Sequence, residues 1–140
     1  MFIDTNGLVN SRILEAPEHN LARARLERAS QEGEPIRISR QVVREYLSVV
    51  TRPQCWAVPI TLPDALDDAD RLIRNFEILE DGPVVTERLI ALCREVTVEG
   101  RQIHDANIVA TMLAHGERRL FTFNTADFRR YGNRIELIGD

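Results

Sequence analysis

The feature that most constrains the fold of this 140-residue chain is an alternation of short apolar segments with longer amphipathic ones. The short segments resemble β-strands and lie at residues 1–4, 35–39, 76–80, 118–124 and 134–139. Segments with helical spacing of apolar residues lie between them, at 18–32, 39–51, 63–75, 84–96 and 104–113. The DTNG stretch at 4–7 predicts a turn, and residues 124–132 predict a short helical turn or loop. Apolar strands separated by helices are typical of a parallel sheet covered by helices, so we expect a single α/β domain over residues 1–140.

Composition excludes several classes of protein. No apolar run approaches the roughly 18 residues of a membrane span, and we see no signal peptide, so we expect a cytoplasmic protein without membrane contact. Cys55 and Cys93 match no zinc or redox spacing and are expected to be buried thiols of a cytosolic protein. The net charge of −4 argues weakly against non-specific nucleic-acid binding. All 18 basic residues are arginine, which excludes any function that needs a lysine.

One carboxylate lies where a core residue is expected. In the segment HDANIVATML, Asp105 precedes Ile108 and Val109 by three and four residues, on the apolar side of the predicted helix. An ionised carboxylate that faces a protein core is costly unless something pairs with it. Asp105 is therefore a candidate functional residue.

Three further acids lie near the ends of elements or beside buried faces. Asp4 ends the first predicted strand, and Asp127 lies four residues after Phe123, near the end of the fourth. Glu45 borders the apolar stripe of its helix. Because ligands of open α/β sheets bind beyond the carboxyl ends of the strands, these acids could share one site.

Each acid also has a purely structural explanation. Asp4 could form an Asx turn, and Asp105 could stabilise a helix N-terminus. Asp127 follows Asn124 at the spacing of a capping box, and Glu45 could be a solvated helix residue. A structural explanation of all four acids, however, needs four unrelated causes.

If the four carboxylates converge, their repulsion must be relieved. Two unit charges about 5 Å apart repel by roughly 3 kcal/mol at an effective dielectric constant near 20. Several such pairs are large against the roughly 5–15 kcal/mol by which a domain is stable. Because oxygen ligands select hard divalent ions, the acids point to Mg²⁺ or Mn²⁺.

The motifs DTN, REYL, HDANIVA and FTFNTADF resemble those of PIN-domain ribonucleases, most closely the VapC-type toxins of toxin–antitoxin pairs. The resemblance covers essentially the whole chain. It implies a three-layer α/β/α sandwich whose central, mainly parallel sheet is flanked by helices, and a metal-dependent endoribonuclease. The acids that match the family's Mg²⁺ or Mn²⁺ ligands are Asp4, Glu45, Asp105 and Asp127. The polar residues that match its supporting positions are Asn6, Thr122 and Asn124. Gly7 departs from the bulky apolar residue usual in the family, a change that could loosen the first turn.

The resemblance also implies partners. We expect an RNA substrate, a small antitoxin that binds over the acidic cleft, and a homodimer formed through the helices that follow the first two strands. The arginines nearest in sequence to the acids are candidates for contacts with the RNA backbone, and they are Arg12, Arg40, Arg44 and Arg101. His104 adjoins Asp105, but a water bound to a metal needs no imidazole base.

Acids at the ends of strands and helices also occur in proteins of other function. Receiver domains and haloacid-dehalogenase-like phosphatases also carry acids at strand ends, but they rely on a lysine that this chain lacks. A housekeeping RNA-processing PIN nuclease would carry the same catalytic motifs. A catalytically inactive PIN-like scaffold is disfavoured by the presence of all four acids.

Overall fold

A computed structural model describes residues 1–139 and contains one five-stranded sheet. Its strands are β1 (Phe2–Ile3), β2 (Arg37–Ile38), β3 (Glu77–Ile78), β4 (Arg119–Phe121) and β5 (Glu136–Ile138). The helices are α1 (Thr5–Arg12), α2 (His19–Gln31), α3 (Arg40–Val50), α4 (Leu62–Asn75), α5 (Pro83–Glu95), α6 (Gln102–Ala114) and α7 (Thr125–Phe128), followed by 3₁₀ turns over Arg129–Arg134. Within residues 1–139, no helix has the length and apolar character needed to cross a membrane.

All strand pairs are parallel, and the strand order is β3-β2-β1-β4-β5. Helices α1 to α4 connect β1, β2 and β3 in one direction across the sheet, whereas α5 to α7 connect β3, β4 and β5 in the other. Because parallel crossovers are right-handed, the two groups of helices cover opposite faces. Contacts of α1 with α2 and α3, and of α5 with α6, agree with this division. The predicted three-layer α/β/α sandwich is confirmed.

The strand order reverses between β1 and β4, which lie side by side in the centre of the sheet. Phe2 pairs with Leu120 and Ile3 with Phe121, and all four side chains are buried. At such a switch point the connections leave in opposite directions, so a crevice opens at the carboxyl ends of the two strands. The topology therefore marks this edge of the sheet as the place for a site.

The helix α1 differs from the sequence prediction, which placed a turn over DTNG. Asp4 caps this helix by accepting a hydrogen bond from the Thr5 N–H group, and Asn6 and Gly7 lie inside its first turns. A Cβ atom at Gly7 would lie 2.9 Å from Cγ1 of Ile3, so the glycine lets α1 approach β1 closely. Gly7 thus has a packing role and does not loosen the turn.

Candidate active site

Asp4, which follows β1, is held in place from both sides of the switch point. Its Oδ1 atom accepts a 2.7 Å hydrogen bond from the Thr5 N–H group, and its Oδ2 atom accepts a 3.0 Å bond from the Thr122 hydroxyl after β4. Its own N–H group donates to the Phe121 carbonyl at 3.0 Å. The Asx turn considered from the sequence would need a bond from the Asn6 N–H group, but the observed bond comes from Thr5, the first residue of α1, and uses only one of the two carboxylate oxygens.

Asn6, Thr122 and Asn124 form the polar support beside Asp4. The Asn6 Oδ1 atom accepts from the Phe123 N–H group at 3.0 Å, and its Nδ2 group donates to the Thr122 hydroxyl at 3.2 Å. The Asn124 N–H group donates to the same hydroxyl at 3.0 Å. Thr122 is fully buried and so ties the end of β4 to the first turn of α1.

Glu45 reaches the site from α3 and is held by two uncharged donors. Its Oε2 atom accepts a 2.8 Å hydrogen bond from the Thr5 hydroxyl. Its Oε1 atom accepts a 2.9 Å bond from the Gln41 side-chain amide. A single residue, Thr5, thus contacts Asp4 through its backbone and Glu45 through its side chain.

Asp105 and Asp127 belong to the opposite layer of helices. Asp105 lies in the first turn of α6 and is partly buried, whereas Asp127 is exposed on α7. Burial, followed by the charges of Asp127 and Glu45, raises the pKa of Asp105 above its ordinary value. The capping box considered for Asp127 is not formed, since Asn124 makes no side-chain capping bond to α7 in the described chain.

The structure brings all four predicted acids into the lining of one open cleft of about 750 Å³. Burial raises the pKa of Asp4 from 3.8 to about 7, against the lowering effect of its hydrogen bonds from Thr5 and Thr122. The charges of Glu45 and Asp105 raise it further. The cleft therefore concentrates acidic side chains whose ionisation is opposed by burial and by one another.

The chemistry of these donors fits a hard divalent cation, because Mg²⁺ and Mn²⁺ prefer carboxylate and other oxygen ligands. Within residues 1–139, however, no three Asp, Glu, His or Cys side chains are close enough to form a metal site by themselves. Like charges favour separation, and Mg²⁺ commonly keeps several water ligands instead of an all-protein shell.

A buried hydroxyl lies within the influence of one of these acids, Asp105. The Tyr131 hydroxyl has no hydrogen-bond partner within the described residues. Burial, with the charge of Asp105 as the next cause, raises the pKa of Tyr131 to about 12. The hydroxyl therefore remains neutral beside Asp105 and keeps a free proton to donate.

Of the four candidate arginines, Arg101 alone is among the cleft-lining residues. Arg12 forms a 2.9 Å ion pair with Asp68, and Arg40 forms a two-pronged pair with Glu80. Arg44 is exposed on α3. Contact of any of them with RNA remains a prediction.

The sequence reasoning missed several residues of the site. Thr5 and Gln41 hold Glu45, and Arg52, Gln54 and Trp56 line the outer part of the cleft. Gln41 lies four residues before Glu45 and therefore on the same helix face, which was a usable signal. The segment around Trp56 carries no spacing that would have placed it at the cleft.

Comparison with solved structures shows the same fold. The VapBC2 complex of Rickettsia felis, bound to a promoter DNA fragment, matches with a TM-score of 0.73 at 20% identity, over 99% of this chain and 97% of that one. VapC20 of Mycobacterium tuberculosis, a toxin that cleaves the sarcin–ricin loop, matches with a TM-score of 0.69 at 20% identity, over 94% of each chain. A toxin–antitoxin complex of Klebsiella pneumoniae matches with a TM-score of 0.65 at 23% identity, over 98% of this chain and 94% of that one.

The sequence is similar to a family model but not to any single curated protein. A search of curated proteins finds no significant match. The model of the PIN domain family, in contrast, matches residues 1–134. This match spans every strand before β5 and all four acids of the cleft. The chain belongs to the PIN domain family.

Proposed function

We propose that this protein is a metal-dependent endoribonuclease that hydrolyses RNA phosphodiester bonds. The observation that carries the proposal is the meeting of Asp4, Glu45, Asp105 and Asp127 in one cleft at the switch point of the sheet. A PIN fold with this donor set supports Mg²⁺ or Mn²⁺ as the cofactor. When bound, such an ion supplies positive charge to the phosphodiester during attack by water.

The four acidic side chains would have different roles in holding the ion. Asp4 and Glu45 are held in fixed orientations by hydrogen bonds, so they are the prepared half of the site. Asp105 and Asp127 face them from the other layer of helices. With its pKa near 7, the Asp4 carboxyl can hold a proton on Oδ2 or Oδ1 at neutral pH until a cation displaces it.

The outer part of the cleft suits a single strand of RNA. Arg52 and Arg101 line it and can contact phosphates, and the half-buried Trp56 offers a ring on which a base can stack. Contacts of these arginines with phosphate groups would also explain how a chain of net charge −4 binds a polyanion. The neighbour VapC20, a toxin that cleaves the sarcin–ricin loop, supports RNA as the substrate class.

We further propose that the protein is the toxin of a type II toxin–antitoxin pair and acts as a homodimer in the cytoplasm. Its structural neighbours include a toxin–antitoxin complex and the VapBC2 complex. Large apolar side chains on its surface supply contact area for a protein partner, and the most exposed are Leu14 at 74% and Val58 at 85%. A small antitoxin with a basic side chain could neutralise the acidic cleft.

The decisive experiment is an RNA cleavage assay in Mg²⁺ or Mn²⁺, with EDTA as the metal-free control. We expect the wild-type protein to cleave RNA only with metal and Asp105→Asn to lose cleavage while its circular dichroism spectrum is unchanged. The matched control is Asp70→Asn, which removes an exposed aspartate of α4 outside the cleft and should cleave normally. Equal activity of wild type and Asp105→Asn would refute the proposed site.

A second experiment separates a toxin from a housekeeping nuclease. Induced expression of the wild-type protein should arrest bacterial growth, and Asp105→Asn should not. Co-expression with its small antitoxin should restore growth and yield a stable complex. Normal growth on induction of a protein that cleaves RNA in vitro would favour the housekeeping function.

A further inference from the structure

Gln41 lies behind the cleft and fixes the orientation of Glu45. We propose that it is a positioning residue for divalent-metal binding, an inference that rests on the proposed function. Gln41 is 6% exposed and is in the first turn of α3, four residues before Glu45. Its side chain is not among the cleft-lining groups, so it would act through Glu45.

The Gln41 amide and its partner Asn107 join three segments of the chain, namely α3, α6 and the connection after β3. Its Nε2 group donates to Oε1 of Glu45 and to the backbone carbonyl of His104, both at 2.9 Å. Its Oε1 atom accepts a 2.8 Å bond from the Nδ2 group of Asn107 on α6. The same Nδ2 group donates to Oδ2 of Asp81, after β3, at 2.9 Å. We call this chain of contacts, from Asp81 through Asn107 and Gln41 to Glu45, the amide relay.

The groups at the two ends of the amide relay determine which way the Asn107 and Gln41 side-chain amides are oriented. An ionised carboxylate can only accept, so Asp81 requires Asn107 to present its NH₂ group. That NH₂ group also faces Gln41, which must therefore present its oxygen to Asn107. At the other end, Glu45 and the His104 carbonyl can only accept, so Gln41 must present its NH₂ group to them. Both requirements select the same orientation of Gln41.

This arrangement holds Glu45 without neutralising it. Thr5 donates to one oxygen of the carboxylate and Gln41 to the other, and both donors are uncharged. No arginine forms an ion pair with Glu45 within residues 1–139. Because each carboxylate oxygen has a second lone-pair direction, both oxygens keep capacity for a cation. An arginine in place of Gln41 would give a similar orientation but would cancel the charge that attracts the metal.

Groups that orient metal ligands typically change metal affinity by about 10–100-fold when they are mutated. Gln41→Met keeps the length and unbranched shape of the side chain but removes its hydrogen bonds. Asn107→Asp tests the relay without touching Glu45. A carboxylate at position 107 would lose the bond to Asp81 and could only accept from Gln41, so it would attract the Gln41 NH₂ group and turn the Gln41 oxygen toward Glu45.

The test is calorimetric titration of the full chain with MnCl₂ alone, without RNA. We expect Gln41→Met to raise the dissociation constant for Mn²⁺ by about 10–100-fold. Asn107→Asp should also raise it, although its added negative charge would by itself favour cation binding. Glu45→Gln marks the effect of losing the carboxylate. Ser39→Ala removes the buried cap of α3 and should lower the free energy of unfolding while Mn²⁺ affinity is unchanged.

These titrations distinguish failure of the proposed function from failure of the positioning role of Gln41. If the wild-type protein binds no Mn²⁺, the proposed function fails. If it binds Mn²⁺ and Glu45→Gln weakens binding, but Gln41→Met binds like wild type, the positioning role of Gln41 is overturned. If Gln41→Met does not fold, Asn107→Asp decides alone: weaker binding supports the relay, and unchanged or tighter binding overturns it.

Discussion

Replacement of Asp4 by asparagine should stabilise the metal-free protein at neutral pH. The folded state raises the pKa of Asp4 from 3.8 to about 7, mainly through burial. A folded-state pKa above the unfolded one means that the folded protein binds the proton more tightly. The stability associated with that proton is fully present below about pH 4 and is lost as the pH rises toward 7.

The size of the effect follows from the difference between the two pKa values. One pKa unit corresponds to about 1.4 kcal/mol, so the difference of roughly three units gives about 4 kcal/mol at pH 8. Asparagine is similar in shape and is a good N-cap, so its Oδ1 atom can still accept from the Thr5 N–H group. The Thr122 hydroxyl donates to Asp4 and already accepts from Asn6 and Asn124, so it cannot also accept from the new amide. The substitution thus removes the charge, keeps the cap and loses one hydrogen bond, which costs about 0.5–1.5 kcal/mol at every pH.

The assay is urea unfolding of the wild-type protein and Asp4→Asn in EDTA, at intervals from pH 4 to pH 8. Between pH 4 and pH 8, the difference in the free energy of unfolding should shift by about 4 kcal/mol in favour of Asp4→Asn. Asp70→Asn controls for the loss of one negative charge. A difference that stays constant across this range, or that favours the wild type at pH 8, would show that the burial of Asp4 carries no such cost.

Further predictions concern packing, the ion pairs of α4 and the cleft. Gly7→Leu should lower the free energy of unfolding by about 1–3 kcal/mol in urea titrations, because its Cβ would contact Ile3 at 2.9 Å; a neutral result would contradict the close approach of α1 to β1. Asp68→Ala should cost about 2–3 kcal/mol at pH 7, more than Tyr46→Phe, because it leaves the buried Tyr46 hydroxyl without its 2.6 Å acceptor. Burial opposes ionisation of Asp68, but hydrogen bonds from Tyr46, Arg71 and Arg12 outweigh burial and lower the pKa of Asp68. The cost of Asp68→Ala should therefore shrink as the pH falls below about 4. A cost that is independent of pH would refute the ionic contribution. Arg101→Ala should weaken RNA binding and reduce the slope of log affinity against log salt concentration by about one. The control is Arg94→Ala, which removes an exposed arginine of α5 outside the cleft and should leave affinity and slope unchanged. Equal effects of the two substitutions would show that Arg101 does not contact the RNA.

The sheet and most helices could be predicted from the sequence because they depend on local patterns. The apolar periodicity that predicted a helix over 39–51 corresponds to α3 with Ser39 as its cap. The same pattern could not predict α1. Asn6 and Gly7 are poor helix formers, so local propensity favours a turn, and the helix forms because Asp4 caps it and Gly7 lets it pack against β1.

The candidate site could be predicted only in part. Acids after strands and on a buried helix face are visible in a sequence because their charge conflicts with their position. Thr5 and Gln41 cause no such conflict, and only the contacts between segments show that they hold Glu45. Arg12 and Arg40 illustrate the converse: nearness in sequence to the acids suggested RNA contacts, but Asp68 and Glu80 pair with them across 56 and 40 residues of sequence.

The position of the cleft explains why the same residues both weaken the fold and suit it to bind a cation. The switch point fixes Asp4 beside the end of β4, because β1 and β4 are hydrogen-bonded neighbours. The connections that follow these two strands run in opposite directions across the sheet. The helix layers on the two faces then direct Glu45 and Asp105 toward the same crevice. Burial, and after it the charges of Glu45 and Asp105, raise the pKa of Asp4, so the fold opposes ionisation of a residue that it holds by hydrogen bonds to both carboxylate oxygens. A divalent ion would reverse that opposition, and Mn²⁺ should therefore reduce the pH-dependent advantage of Asp4→Asn by an amount that grows as RT ln(1 + c/Kd), where c is the concentration of free Mn²⁺ and Kd is that of the wild-type cleft.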